Sequence, residues 1–125
     1  MAPQMIRALV VDDDRDTADS AVLLLQLLGN CEARAACSHA AALKCAADFD
    51  PNVILMDLAM PGKDGYRLGQ ELKTMCPKCK IIIVSGFGGP DMVRRSREAG
   101  FDGHLVKPVD ASQLRRAIGR GLGRS

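Results

Sequence analysis

Four short apolar segments of this sequence each end at a residue with reactive chemistry. The first is followed by Asp12 and Asp13, the second by Asp57, the third by Ser85 and the fourth by Lys107. Neighbouring carboxylates raise each other's pKa unless a cation joins them, and without His or Cys at these positions Mg²⁺ is favoured over zinc. A carboxylate beside Mg²⁺, with a hydroxyl and an ammonium nearby, suits phosphoryl transfer onto its own oxygen.

The apolar segments are predicted strands, and the stretches between them have the spacing of helices. Residues 6–11, 53–56 and 81–84 are almost wholly apolar, which is typical of strands covered on both faces. Residues 32–35 alternate polar and small apolar side chains, so this second strand is predicted to be an edge, and the short segment 104–106 the opposite edge. Helices are predicted over 15–28, 40–47 with Ser38 as the N-cap, Asp64 to before Pro77, Pro90–Gly100, and Asp110 through Leu122.

Strict alternation of strands and helices predicts an α/β fold with a parallel sheet, right-handed crossovers and helices on both faces. Ligands of open α/β sheets bind beyond the carboxyl ends of the strands. Asp12, Asp13, Asp57, Ser85 and Lys107 all occupy that position, so the fold predicts that they form one site.

The composition is that of an ordinary globular chain. The 125 residues, 47% hydrophobic and 26% charged, predict a single domain over 1–125 with a core over about 6–122. A net charge of +2 and 3% aromatic residues do not favour direct nucleic-acid binding, and no stretch is long and apolar enough for membrane insertion. Five irregularly spaced cysteines favour a reducing, cytoplasmic location.

Four sequence blocks, in this order and spacing, closely resemble the signature of bacterial response-regulator receiver domains: Val10–Asp14, Leu55–Gly65, Val84–Gly86 and Leu105–Pro108. The resemblance extends from residue 6 to about 122. It implies strand order 2-1-3-4-5 and a two-component or phosphorelay function, in which a histidine kinase or histidine phosphotransfer protein donates a phosphoryl group from phosphohistidine. Such domains are signalling switches, not enzymes acting on an external substrate.

The same resemblance implies a role for each site residue. Asp57 accepts the phosphoryl group, Asp13, Asp57 and the backbone carbonyl of Ala59 hold Mg²⁺, and Asp12 acts through a metal-bound water. Lys107 pairs with the phosphate, and the peptide bond from Lys107 to Pro108 is expected to be cis.

The resemblance also implies a conformational switch. Ser85 turns toward the new phosphate while the aromatic residue on the fifth strand turns inward. That position carries His104 where Tyr or Phe is commoner, and a half-exposed edge-strand ring remains an equal alternative to a switching role. If His104 does switch, its titration near neutrality makes the response depend on pH. Ala59 and Phe87 occupy positions that tune phosphate lifetime in the family.

The output surface implied by the family is formed by the fourth helix, fifth strand and fifth helix, where a downstream protein partner is expected. Both helices are basic. Their arginines either form a solvated face or bind an acidic partner, and the sequence leaves both alternatives open. The arginines are Arg94, Arg95, Arg97, Arg115, Arg116, Arg120 and Arg124. The segment from Ala99 to Asp110 resembles in particular the receivers of hybrid histidine kinases, so an excised and a stand-alone receiver remain alternatives.

Two other classes of protein compete with the receiver interpretation. A Mg²⁺-dependent phosphohydrolase with an aspartyl-phosphate intermediate usually has a second Asp two residues after the nucleophile, where this chain has Ala59. A flavodoxin-like cofactor binder needs aromatic walls and a phosphate-binding first loop, which an aspartate cluster disfavours. Separately, Cys76 and Cys79 have redox or zinc spacing but supply only two of the four ligands of a zinc site.

Overall fold

A computed structural model describes residues 5–58, 65–86 and 90–121 of the chain. It confirms the alternation of strands and helices. The elements are β1 Ile6–Val11, α1 Arg15–Leu27, β2 Cys31–Ala36, α2 His39–Phe49, β3 Val53–Met56, α3 Gly65–Met75, β4 Lys80–Ser85, α4 Pro90–Glu98, β5 Gly103–Val106 and α5 Ala111–Gly121. The predicted helix start at Asp64 and the predicted end at Leu122 lie outside the described residues.

The backbone agrees with the predicted limits of α2 at Ser38 and Asp50. Ser38 caps α2 as predicted, because its hydroxyl oxygen accepts a hydrogen bond from the Ala41 amide at 3.1 Å. Asp50, in the left-handed region with φ of 52°, ends α2 just before Pro51. α4 stops at Glu98, two residues short of the prediction, and Gly100 has a φ of 91°, which reverses the chain out of the helix.

The five strands form one parallel sheet in the order β2-β1-β3-β4-β5, as expected. The predicted edges are confirmed, since within the described part of the chain β2 pairs only with β1 and β5 only with β4. Along β1, Val11 is in register with Ala36 on one side and Met56 on the other. The carboxyl ends of these three strands therefore lie side by side.

Two apolar layers cover the sheet, one on each face. Leu9 and Met56 pack with α2 and α3 in one layer, and Val10 and Leu55 pack with α1 and α5 in the other. Successive residues of a strand point to opposite faces of the sheet. Because helices cover both faces, residues on either side must be apolar, which explains the unbroken apolar runs of β1 and β3. In the described part of the chain, no helix is both long and apolar enough to cross a bilayer.

Candidate functional site

The two buried carboxylates of the predicted site lie next to each other at the carboxyl edge of the sheet. Asp12 follows β1 and Asp57 follows β3, and their exposures are only 4% and 8%. The Asp57 amide donates to the Val11 carbonyl at 2.9 Å, and the Asp12 amide donates to the Ala36 carbonyl at 3.1 Å. These bonds extend the sheet ladder one residue beyond the strands, so the backbone positions both carboxylates.

Lys107 brings a positive charge between the two carboxylates. Its ammonium donates to Asp12 Oδ2 at 2.9 Å and to Asp57 Oδ2 at 3.0 Å. Burial disfavours the charged form of Lys107, but the hydrogen bonds to Asp12 and Asp57 and their charges outweigh burial, so its pKa is raised. The Lys107 amide donates to the Ser85 carbonyl at 2.8 Å, and the bond from Lys107 to Pro108 is cis, as expected. The ammonium is therefore a shared partner of both carboxylates.

Asp13 completes a group of three carboxylates. Oxygens of Asp12, Asp13 and Asp57 lie within 4.8 Å of one another, and Asp13 is exposed while the other two are buried. Lys107 contacts two of these three carboxylates, and oxygen ligands of this kind fit a hard divalent cation such as Mg²⁺. The fourth predicted ligand, the Ala59 carbonyl, lies outside the described residues, as does Phe87.

The turn after β1 assigns different partners to the two carboxylate oxygens of Asp12. The Asp14 amide donates to Asp12 Oδ1 at 2.9 Å, which leaves Oδ2 for Lys107. Asp14 then becomes the N-cap residue of α1, and its side chain accepts a hydrogen bond from Thr17. The sequence pattern did not identify this division of the two Asp12 oxygens, because it depends on the backbone of the turn.

Ser85 and His104 are in direct contact on the neighbouring strands β4 and β5. Ser85 Oγ lies 3.0 Å from His104 Nε2 and 3.6 Å from the Met92 sulfur on α4. Ser85 is buried at 4% exposure and His104 is half-buried. Burial lowers the pKa of His104. The contact with Met92 was not predicted, since nothing in the spacing of a methionine on a separate helix indicates it.

A cavity of about 530 Å³ adjoins the acidic site on the face of the sheet that carries α1 and α5. Asp12, Asp57 and Lys107 line one end of it, and the rest is mainly apolar. Its apolar lining includes Val10, Ala21, Leu24, Leu55, Val109 and Leu114. No sequence pattern indicates this cavity, because its lining residues have the periodicity of ordinary core positions.

Fold and site together define a doubly wound α/β protein with an acidic, lysine-bridged site at the carboxyl edge of its sheet. A family model described as the response regulator receiver domain matches residues 8–119, nearly the whole chain. The chain belongs to the response regulator receiver domain family. This match also favours the receiver interpretation over a phosphohydrolase or a flavodoxin-like cofactor binder.

Curated relatives have names consistent with this family. The chain is 32% identical over 72 residues to the sporulation initiation phosphotransferase F of Bacillus subtilis, covering 58% of each protein. It is 35% identical over 108 residues to the transcriptional regulatory protein PrrA of Mycobacterium tuberculosis, covering 86% of this chain and 46% of that protein. The match thus spans less than two thirds of these relatives.

Solved receiver structures share the fold over almost the full chain. The chemotaxis protein CheY4 of Vibrio cholerae superposes with a TM-score of 0.86 at 25% identity, covering 94% of this chain and 99% of that one. A CheY-like receiver domain protein of Methanospirillum hungatei superposes with a TM-score of 0.83 at 28% identity, covering 94% and 93%. The topology predicted from the sequence is therefore confirmed.

Proposed function

We propose that this receiver domain accepts a phosphoryl group on Asp57 from the phosphohistidine of a histidine kinase or histidine phosphotransfer protein. An Asp57 oxygen attacks phosphorus, the bond from phosphorus to the imidazole nitrogen breaks, and the partner's histidine leaves. The observation that carries the proposal is the contact of Lys107 with both Asp12 and Asp57 at the edge of the sheet. It places a cation where the charge of a transferred group must be neutralised.

In this proposal Mg²⁺ is held by Asp13, Asp57 and the backbone carbonyl of Ala59, with Asp12 acting through a bound water. The bound ion supplies charge neutralisation for the phosphoryl oxygens. The support from the structure is the group of three carboxylates, two buried and one exposed, which has the donor atoms that Mg²⁺ prefers. Exposed Asp13 would give the ion access from solvent.

Lys107 and Ser85 have separate tasks in the transfer. Lys107 gives up part of its contact with the two carboxylates and pairs with a phosphoryl oxygen, as a lysine can because its flexible ammonium carries three donors. The hydroxyl of Ser85 donates to another phosphoryl oxygen. Since that hydroxyl contacts His104 at 3.0 Å, the phosphoryl group competes directly with His104 for Ser85.

This competition is the proposed origin of the switch. Once Ser85 turns to the phosphoryl group, His104 loses a hydrogen-bond partner and Met92 loses its contact with the hydroxyl. Both residues belong to the surface formed by α4, β5 and α5, where we place the downstream protein partner. Val106 of β5 is 44% exposed on that surface, and β5 has a partner strand on one side only among the described residues. A local charge change can bias two such arrangements because they differ little in free energy.

The arginines of this surface are used in different ways. Arg94 pairs with Asp91 at 3.0 Å, and Arg95 lies over the Tyr66 ring, 4.4 Å from its centroid. Arg97, Arg115 and Arg116 are exposed, and an acidic partner could contact them.

We place the domain in the cytoplasm, because all five cysteines are free thiols, as expected in a reducing compartment.

Intact mass after incubation with acetyl phosphate tests the proposal. Native protein should gain one phosphoryl group only when Mg²⁺ is present, and Asp57→Asn should gain none. Asp19→Asn, which removes an exposed carboxylate of α1, is the matched control and should label like the native chain. Labelling of Asp57→Asn would refute the assignment of the acceptor, and Mg²⁺-independent labelling would refute the role of the ion.

A further inference from the structure

A second groove, of about 670 Å³, lies at the amino-terminal edge of the sheet, at the opposite end of the strands from the acidic site. Four of the residues that line it contain sulfur: Met5, Met75, Cys76 and Cys79. Met5 precedes β1, whereas the other three belong to the end of α3 and the turn before β4. The fold therefore adds a distant thioether to a pair of neighbouring thiols.

The backbone holds the two thiols on one tight turn. The Cys79 amide donates to the Cys76 carbonyl at 2.9 Å, and a turn closed in this way keeps the two α-carbons within about 7 Å. Lys73 anchors the turn by donating to the Cys79 carbonyl at 2.8 Å. Both cysteines are free thiols.

We propose that this groove binds a monovalent copper ion, Cu(I), through the Cys76 and Cys79 sulfurs, with the Met75 and Met5 thioethers as supporting ligands. Soft thiolate and thioether sulfurs select Cu(I), whereas zinc takes four closed ligands from Cys, His and carboxylates. Among the described residues, Asp12, Asp13 and Asp57 are the one group of three or more His, Cys, Asp or Glu close enough to share a metal, so the pair lacks further zinc ligands.

The remaining charges of the groove fit this ion. Asp50 is the carboxylate of the lining, and it pairs with Arg7 at 3.5 Å. Binding breaks two S–H bonds, forms two Cu–S bonds and releases two protons to solvent, with no change in the oxidation state of copper. Two thiolates and one Cu(I) leave one negative charge, which Lys78, a further lining residue, can offset.

Access to the site is uneven among the four residues. Met5 and Met75 are 41% and 43% exposed, and Cys76 is half-buried, so a metal can reach them from solvent. Cys79 is 2% exposed, and its thiol lies 3.6 Å from the Lys80 carbonyl oxygen. Burial raises the pKa of Cys79 to about 12, so this thiol is protonated until a metal displaces the proton. We therefore expect Cys76 to be the first ligand engaged and Cys79 to rotate onto the bound ion.

The experiment is an anaerobic titration of the reduced protein with Cu(I) in competition with a chromogenic Cu(I) chelator. The native chain should bind one Cu(I), and Cys76→Ser should lower the affinity by about 100-fold or more because it removes one of two thiolate ligands. Cys45→Ser is the matched control, since Cys45 is also a half-buried thiol whose pKa is raised by burial. Cys45→Ser should bind like the native chain.

Two further variants distinguish a copper site in this groove from nonspecific thiol binding and from a zinc site. Replacing both Met5 and Met75 by Leu should weaken Cu(I) binding by about 10-fold without unfolding the chain, because Leu keeps the apolar character of both partly exposed positions and removes only the thioether. Unchanged affinity in Cys76→Ser, an equal loss in Cys45→Ser, or zinc binding as tight as Cu(I) would each overturn the proposal. Asp57→Asn should bind Cu(I) normally, so the outcome does not depend on the phosphoacceptor function.

Discussion

Ser85 Oγ lies 3.0 Å from His104 Nε2, so the hydroxyl proposed to bind the phosphoryl group already contacts the residue at the proposed switch position. The two residues lie on neighbouring strands but are not paired in register, because Ser85 pairs with Val106 and His104 with Ile83. The contact between these two side chains thus connects the site to β5, an edge strand of the sheet. In the proposed switch, the Ser85 hydroxyl exchanges its contact with His104 for a hydrogen bond to the phosphoryl group.

Substitution of Ser85 tests that exchange. In the native chain, phosphorylation should change the NMR chemical shifts of the His104 ring, because Ser85 leaves it. In Ser85→Ala the ring should have lost this partner before phosphorylation, and its shifts should barely respond, whereas Ser85→Thr keeps the hydroxyl and should restore the response. Equal responses of the native and Ser85→Ala proteins would show that Ser85 does not connect the two sites.

The pH dependence of stability should contain a contribution from His104. Burial lowers its pKa in the folded chain relative to the ordinary value of 6.5, so the unfolded chain binds a proton more readily at mildly acidic pH. Stability should therefore fall as pH decreases through about 6.5, and the loss should be complete below the folded pKa. The measurement is the free energy of unfolding in urea between neutral and mildly acidic pH.

The matched variants for this measurement are His104→Phe and His39→Gln. His104→Phe should lose less stability on acidification than the native chain. His39→Gln should keep the His104 contribution, because His39 lies elsewhere, near Glu71 at 3.4 Å. A native-like pH slope in His104→Phe would contradict the prediction.

Removal of Lys107 should destabilise the fold. Lys107→Ala leaves Asp12 and Asp57 buried without their shared cation, at a cost of about 1–3 kcal/mol, less than for a fully buried pair because the lysine side chain is 28% exposed. Urea unfolding measures the loss, and Lys44→Ala, on the surface of α2 away from the site, should change stability by less than about 0.5 kcal/mol.

The same variant should respond more strongly to Mg²⁺. With Lys107 absent, a bound Mg²⁺ replaces counter-charge that the lysine no longer supplies to the carboxylates, so Mg²⁺ should raise the melting temperature of Lys107→Ala more than that of the native chain. Phosphoryl signalling should nevertheless be impaired, because a phosphoryl oxygen loses its lysine partner. Failure of Mg²⁺ to stabilise Lys107→Ala would argue against a shared carboxylate site.

Asp13 offers a direct test of the metal site. It is exposed, so Asp13→Asn should leave the stability of the metal-free protein within about 0.5 kcal/mol of native while weakening Mg²⁺ binding by about 10-fold or more. Thermal unfolding with Mg²⁺ and after chelation measures both effects. Asp19→Asn should retain native Mg²⁺ binding, and a native response in Asp13→Asn would remove Asp13 from the ligand set.

Local patterns of the sequence determined the elements of this protein and most members of its site. Unbroken apolar runs predict strands covered on both faces, and the polar alternation of residues 32–35 predicts an edge, because burial on each face sets the residue types directly. Since parallel strands end at one edge of the sheet, the positions of Asp12, Asp57 and Lys107 at strand ends were enough to predict one shared site.

Only the tertiary structure decided which atoms of that site meet. The contacts of Lys107 with Asp12 and Asp57, and of Ser85 with Met92, depend on sheet register, on the turn after β1 and on the placement of α4. The grouping of Met5 with distant cysteines has the same origin. The periodicity of a sequence shows which face of a helix or strand is buried. It does not show which residues of different elements touch, because their separation along the chain follows no regular period.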